Sequence, residues 1–173
     1  MASYYYLVAS LPMLRFEDPP PITLAQFLKT CEQNMGEHAY ALVKGLAEGH
    51  ITEIHEKHAY LSQWYTRVSD VKRALHRSRA KALSRTEAAS DEHQALDIHA
   101  QEVVKQAMQA DDPLAAELLL MRYWWDQAEE LRTSGYFTLE VLFTYTIQLD
   151  LLERKALFTP MEGNAEFKRL FSN

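Results

Sequence analysis

Glycine and proline are scarce in this chain. It has five glycines and six prolines in 173 residues, and three of the prolines sit together at Pro19–Pro21. So few breakers leave room for long uninterrupted helices. Cys31 is the single cysteine, so no disulfide can form within the chain. That usage fits a reducing compartment, and the ordinary fate of such a residue is a small buried apolar one. Neither Gly-x-x-x-x-Gly-Lys, Gly-x-Gly-x-x-Gly nor Gly-x-Ser-x-Gly occurs, so phosphate cradles and a nucleophile elbow have no signature here. Membrane-length apolar runs are missing too: Val141–Leu149 is about half a span. The opening MASYYYLVASLPML has no cationic n-region and is broken by Pro12, so it does not read as a signal peptide. These absences predict a cytoplasmic protein.

Hydrophobic residues at 47% and charged residues at 24% are ordinary for a folded soluble protein. The length allows one domain with a real core, with or without a projecting element. A net charge of −6 disfavours nucleic acid as a global partner, because phosphate binding needs a cationic face.

The periodicity is helical almost throughout. Thr23 can cap a helix while Gln26 reaches back, with Ile22 stapling onto Phe27. Gly36 stops that helix, and a second runs from about Glu37 to Glu48, ended by Gly49. From Ile51 a heptad-like seam appears: Ile54, Leu61, Val68, Leu75 and Ala82, with Ile51, His58 and Tyr65 between. It predicts one helix of about thirty residues, weakening where Lys72 and Arg79 take the alternate positions. A second seam, Ala89, His93, Leu96, Ala100, Val103, Ala107 and Ala110, follows the composition break at 84–92. Its small residues permit close approach, which predicts an antiparallel hairpin over 51–110 with its tip at the break.

Asp111-Asp112-Pro113 opens the next helix with an acidic cap and a proline at the first helical position. Leu114, Leu118, Met121, Trp125 and Ala128 form its stripe, and Leu120, Tyr123 and Trp124 widen it. An arc that broad implies more than one neighbour. Gly135 ends this helix, and Thr138 caps the last long one. There the β-branched and aromatic residues of Val141–Ile147 keep a strand open as an alternative, while the length and the charged end DLLERK favour helix. Thr159-Pro160 caps a short terminal helix with Phe167, Leu170 and Phe171.

The block 111–158 holds two of the three tryptophans but no histidine or cysteine. The best-packed part of the chain thus has nothing with which to do chemistry. Of seven histidines, none falls in a His-x3-His or Glu-x-x-His pair, the spacings that place ligands on one helix face. His50, His55 and His58, with Glu53 and Glu56 among them, are the residues a metalloprotein reading would use. Solvated or seam-flanking histidines are the plainer reading. Carboxylate pairs at Asp111-Asp112 and Glu129-Glu130 fit capping and solvation. No catalytic, cofactor-binding or metal-binding residues are predicted.

Charge is more informative. Arg67, Lys72, Arg73, Arg77, Arg79, Lys81 and Arg85 stand against Asp70 alone. Glu87, Asp91, Glu92, Asp97, Glu102, Asp111 and Asp112 then stand against Lys105. In a hairpin these blocks either neutralise each other or leave a basic face for an acidic partner. No aromatics interleave the basic block, so nucleic acid is not expected. Adjacent aromatics on a helix point apart, which places Trp125 in the core and Trp124 against a second element or a partner. Tyr4, Tyr5, Tyr6, Arg73, Arg77 and Trp124 are therefore the candidate partner-binding residues.

The opening YYYLVASLP with its acidic-proline turn, the blocks DDPLAAELLLMRYWWDQAEEL and GYFTLEVLFTYTIQLDLLERKALF, and a closing Gly163-x3-Phe167 resemble a bacterial family of uncharacterised proteins. That family is associated with V-type ATPase operons. Its members look like reduced relatives of the C-type stalk subunit of rotary ATPases, the equivalent of the eukaryotic d-type subunit. The resemblance covers both ends, about half of the chain. It implies an all-helical, non-catalytic part seated between the central stalk and the membrane ring of a proton- or sodium-translocating motor. Its partners would be other ATPase subunits, and membrane contact would come only through them, on the cytoplasmic face of the inner membrane. The chain is shorter than a full C-type subunit. One lobe, a homo-oligomer of lobes, or a free-standing adaptor or assembly chaperone would each fit. The expected architecture is all-α: a single domain over 1–173, a compact helical bundle carrying the long hairpin at 51–110.

Overall fold

The computed structural model describes residues 4–82, 97–132 and 135–158. The protein is all-α: among the described residues no strand forms. The helices are α1 (Tyr5–Ser10), α2 (Leu24–Asn34), α3 (Glu37–Ala47), α4 (Ile51–Ile54), α5 (Ala59–Ala82), α6 (Ile98–Met108), α7 (Pro113–Leu131) and α8 (Leu139–Ala156), with a 3-10 turn at His55–Lys57. They divide into two compact units, Met1–His50 with Trp125–Asn173, and Ile51–Trp124. The expected hairpin tip at 84–92 and the terminal helix from Thr159 lie outside the described residues.

In the first unit the local signals work as their chemistry dictates. Thr23 Oγ1 accepts from the Gln26 N–H at 3.2 Å, and Gln26 Oε1 accepts from the Thr23 N–H at 2.9 Å, so two orphan donors at the start of α2 are satisfied reciprocally. At the end of α3, Gly49 takes φ 78°. The Gly49 N–H donates to Leu46 O at 3.2 Å, and the His50 N–H to Gly45 O at 2.8 Å. That is a Schellman closure, and it needs the left-handed conformation that glycine adopts without a Cβ penalty.

α8 is helical through Val141–Ile147, where a strand was the alternative. Every residue from Leu142 to Leu149 is buried, so α8 is enclosed on all faces, by α2 and α3 among others. An enclosed helix shows no amphipathic stripe, and β-branched residues there serve packing rather than sheet. Its polar side chains find partners inside. Thr144 Oγ1 donates to Ala128 O of α7 at 3.2 Å, meeting one of the carbonyls left over in the last turn of α7. Thr146 Oγ1 donates to Leu142 O at 2.7 Å, and the Tyr145 hydroxyl donates to Pro12 O at 3.1 Å. Phe27, Cys31, Val43, Phe143 and Leu149 form the solvent-free centre of this unit.

Thr138 departs from expectation. It precedes α8 with extended backbone, but its side chain makes no cap hydrogen bond, and its buried Oγ1 has no partner among the described residues. Nor is Gly135 a left-handed stop, since Gly49 is the one glycine with positive φ among the described residues. A Cβ at Gly135 would lie 2.4 Å from Thr138 Cγ2, so what this position requires is a close approach.

In the second unit the thirty-residue helix expected from Ile51 is interrupted. His58 is extended (φ −155°, ψ 138°), and its Nδ1 accepts from the Tyr60 N–H at 3.1 Å while its carbonyl accepts from Ser62 N–H at 3.0 Å. His58 therefore acts as the cap of α5 rather than as a seam residue, because an imidazole acceptor competes for the orphan N–H groups. The restart turns the buried face. Tyr60, Leu61, Trp64, Val71 and Ala74 are buried, whereas Val68 and Leu75 are only partly so. Val71 and Ala74 of α5 pack with Ala100 and Val104 of α6, and Leu120, Tyr123 and Trp124 of α7 cover them. The small residues at Ala74 and Ala100 allow the close helix approach that the second seam predicted. Asp97 Oδ1 caps α6 through the His99 N–H at 2.9 Å, and Asp112 Oδ1 caps α7 through the Ala115 N–H at 2.8 Å. Leu114, expected in the α7 stripe, is 43% exposed, because the covered part of α7 begins further along.

Candidate interaction surfaces

α1 is short and held from inside. Leu7 is buried, the Tyr4 N–H donates to Phe137 O at 3.0 Å, and Ser10 Oγ donates to Leu7 O at 2.7 Å. At 100° per residue, anchoring Leu7 turns Tyr5 and Tyr6 outward. The Tyr5 ring lies against Phe137 with centroids 4.6 Å apart, and Tyr6 meets Tyr5 edge-on at 5.4 Å. Tyr5 is 51% exposed, Tyr6 86% and Tyr136 80%. Tyr5 and Tyr6 are thus joined to Phe137 in one solvent-facing aromatic face. Tyr4 itself is half-buried.

A groove of about 530 Å³ also opens on this unit, with Val8, Leu11, Pro12, Trp125 and Tyr145 among its walls. Glu129 is its polar element, paired with Arg132 at 2.6 Å and accepting from Gln148 Nε2 at 3.2 Å. One wall is tied down: Phe16 packs edge-on to Trp125 at 5.6 Å, and Lys155 Nζ donates to the Phe16 carbonyl while lying 4.7 Å over its ring. Trp125 is therefore half-buried at a groove edge rather than sunk in a core.

In the second unit Trp124 meets Trp64 edge-on at 5.4 Å and Tyr123 at 5.3 Å, so it does lie against a second element, α5. Arg73 sits on Asp70 one turn back. Arg77 lines a groove between α5 and α6.

The residues a metalloprotein would use are engaged separately. His50 lies 3.6 Å from Glu48. His55 stacks on Tyr65 at 4.2 Å and directs Nδ1 to Thr52 O at 3.0 Å. His58 caps α5. Among the described residues no group of three or more His, Cys, Asp or Glu side chains is placed to hold a metal. Burial pushes the Cys31 thiol up to about 12, which suppresses the thiolate a nucleophile needs. Burial first, and then the nearby Cys31, push Tyr145 up to about 12. Among the described residues no helix is long and apolar enough to cross a membrane.

Sequence reasoning missed Tyr136 and Phe137, Trp64, and the pairing of Lys81 with Lys105 across one groove. The first were visible as an aromatic pair following Gly135, and Trp64 stands seven residues before Val71. The two lysines had no local signal, since they come from opposite sides of the charge break. Compared with family models, with curated proteins and with solved structures, the chain gives no match.

Proposed function

We propose that this protein is a non-catalytic accessory component of a V-type ATPase, a coupling or spacing piece between central stalk and membrane ring in the manner of the C-type stalk subunit. The observation that carries the reading is where the exposed aromatics lie. Tyr5 and Tyr6 face solvent in the same YYYLVASLP stretch that bears the family resemblance. Large exposed aromatics on a rigid support are what protein interfaces use as anchors, and α1 is fixed from beneath by Leu7 and by the Tyr4–Phe137 hydrogen bond. An all-α body whose single cysteine is buried is in keeping with a mechanical part.

Affinity purification of a tagged catalytic ATPase subunit from the source organism tests this. The protein should co-purify in stoichiometric amount, and Tyr5→Ala with Tyr6→Ala should reduce its recovery at least tenfold. Recovery in partly assembled complexes alone would make it an assembly chaperone instead. Absence from every ATPase species would refute the reading.

A further inference from the structure

We propose that the groove between α5 and α6 is a docking site for an acidic helix of another protein. Its walls are two stripes of identical spacing. Ala74, Arg77, Ser78 and Lys81 line it from α5, and Ile98, Gln101, Glu102 and Lys105 from α6. Each set runs i, i+3, i+4, i+7, so each is one face of its helix. Two such faces side by side form the trough into which a third helix packs, with anchors at the same spacing. The groove encloses about 450 Å³.

The chemistry of the occupant follows from the charges. Lys81 and Lys105 face Glu102 alone among the acids that line the groove. That carboxylate is already engaged, accepting from Gln106 Nε2 at 3.1 Å. No ion pair holds Lys81 or Lys105 among the described residues, and both are exposed. α5 as a whole carries six cations against Asp70, in a chain whose net charge is −6. The cationic trough repels the same trough of a second copy and attracts an anionic segment. Ile98, 79% exposed at the groove edge, supplies an apolar contact that a nucleic-acid backbone would not use but an amphipathic helix would. The occupant is therefore a helix with glutamate or aspartate at i, i+3 or i+4 and a neighbouring leucine-like residue.

The probe is a fluorescein-labelled peptide of about 15 residues with glutamate on one helical face flanking two leucines, together with a lysine-for-glutamate counterpart. Fluorescence anisotropy with the full chain should show saturable binding of the acidic peptide, weakening as salt rises from about 50 to 300 mM, and none of the basic one. Lys81→Glu with Lys105→Glu, both at exposed positions, should weaken binding about tenfold with an unchanged circular dichroism spectrum. Ile98→Ser, which leaves the charges intact, should weaken it about threefold. No saturable binding, or equal binding by the double variant, overturns the proposal. So does tighter binding of a duplex RNA of similar length, which would assign the groove to nucleic acid.

Discussion

Thr23 and Thr138 occupy the same position relative to their helices, and replacing each with valine should have opposite effects. Valine keeps the shape of threonine and replaces the hydroxyl with a methyl. At Thr23 that hydroxyl accepts from the Gln26 N–H at 3.2 Å, and Gln26 returns a bond at 2.9 Å. Loss of the reciprocal pair should cost about 1 kcal/mol, the usual worth of an N-cap. For a chain of this size that lowers Tm by about 2–4 °C. At Thr138 the hydroxyl is buried without a partner among the described residues, so removing it breaks no hydrogen bond seen there, and the new methyl gains burial. An unsatisfied buried hydroxyl costs about 1–3 kcal/mol. Thr138→Val should therefore be neutral or gain up to about 1 kcal/mol, because some of that cost is relieved elsewhere on relaxation. Urea unfolding followed by circular dichroism measures both variants in one buffer, with the slope m checked for constancy. An equal loss at both positions would refute the reasoning, since it would mean that Thr138 caps α8 in solution.

Leu61→Asp should destabilise the protein by several kcal/mol, because Leu61 has 0% exposure and a carboxylate there would be buried unpaired; a loss below about 0.5 kcal/mol in urea unfolding would place it at the surface. His58→Ala should cost about 1 kcal/mol and His58→Asn only a few tenths, since asparagine is also a good N-cap; equal losses would mean the imidazole packs rather than caps. The Cys31 thiol rises from 9.0 to about 12 on folding, so the folded state disfavours its ionised form. Its stabilising share is whole below about pH 9 and is lost as pH climbs towards 12, at about 1 kcal/mol per pH unit. Stability measured between pH 8 and 10.5 should fall accordingly, and thiol labelling at pH 8 should occur only on unfolding. Rapid labelling of the folded protein would contradict the burial.

The helix signals that could be read directly are those whose chemistry is complete within a few residues. Thr23 with Gln26, Asp112 with Pro113, and Gly49 after α3 each close their hydrogen bonds locally, so residue types and spacing suffice to predict them. The contrast at Thr138 was not legible: Val141 cannot complete a capping box, but a threonine can accept from a backbone N–H without one, so the residue types alone predicted a cap. His58 was harder, because an imidazole at a heptad position reads equally as seam or as cap. Only its extended backbone decides between them. Of the candidate partner residues, Tyr5 and Tyr6 emerge on one face, while Trp124 and Arg73 make contacts within their own unit.

By itself, then, the sequence determined an all-α chain, its main helix starts and stops, and the concentration of cations on α5. These rest on interactions a few residues apart. Tertiary structure alone decided that α8 is enclosed on every side, that Thr144 serves a carbonyl of α7, and that Phe137 joins the tyrosines of α1. It also decided that Lys81 and Lys105 line one groove. Each of these depends on side chains far apart in the chain meeting in space, and local pattern carries no record of which distant face supplies the partner.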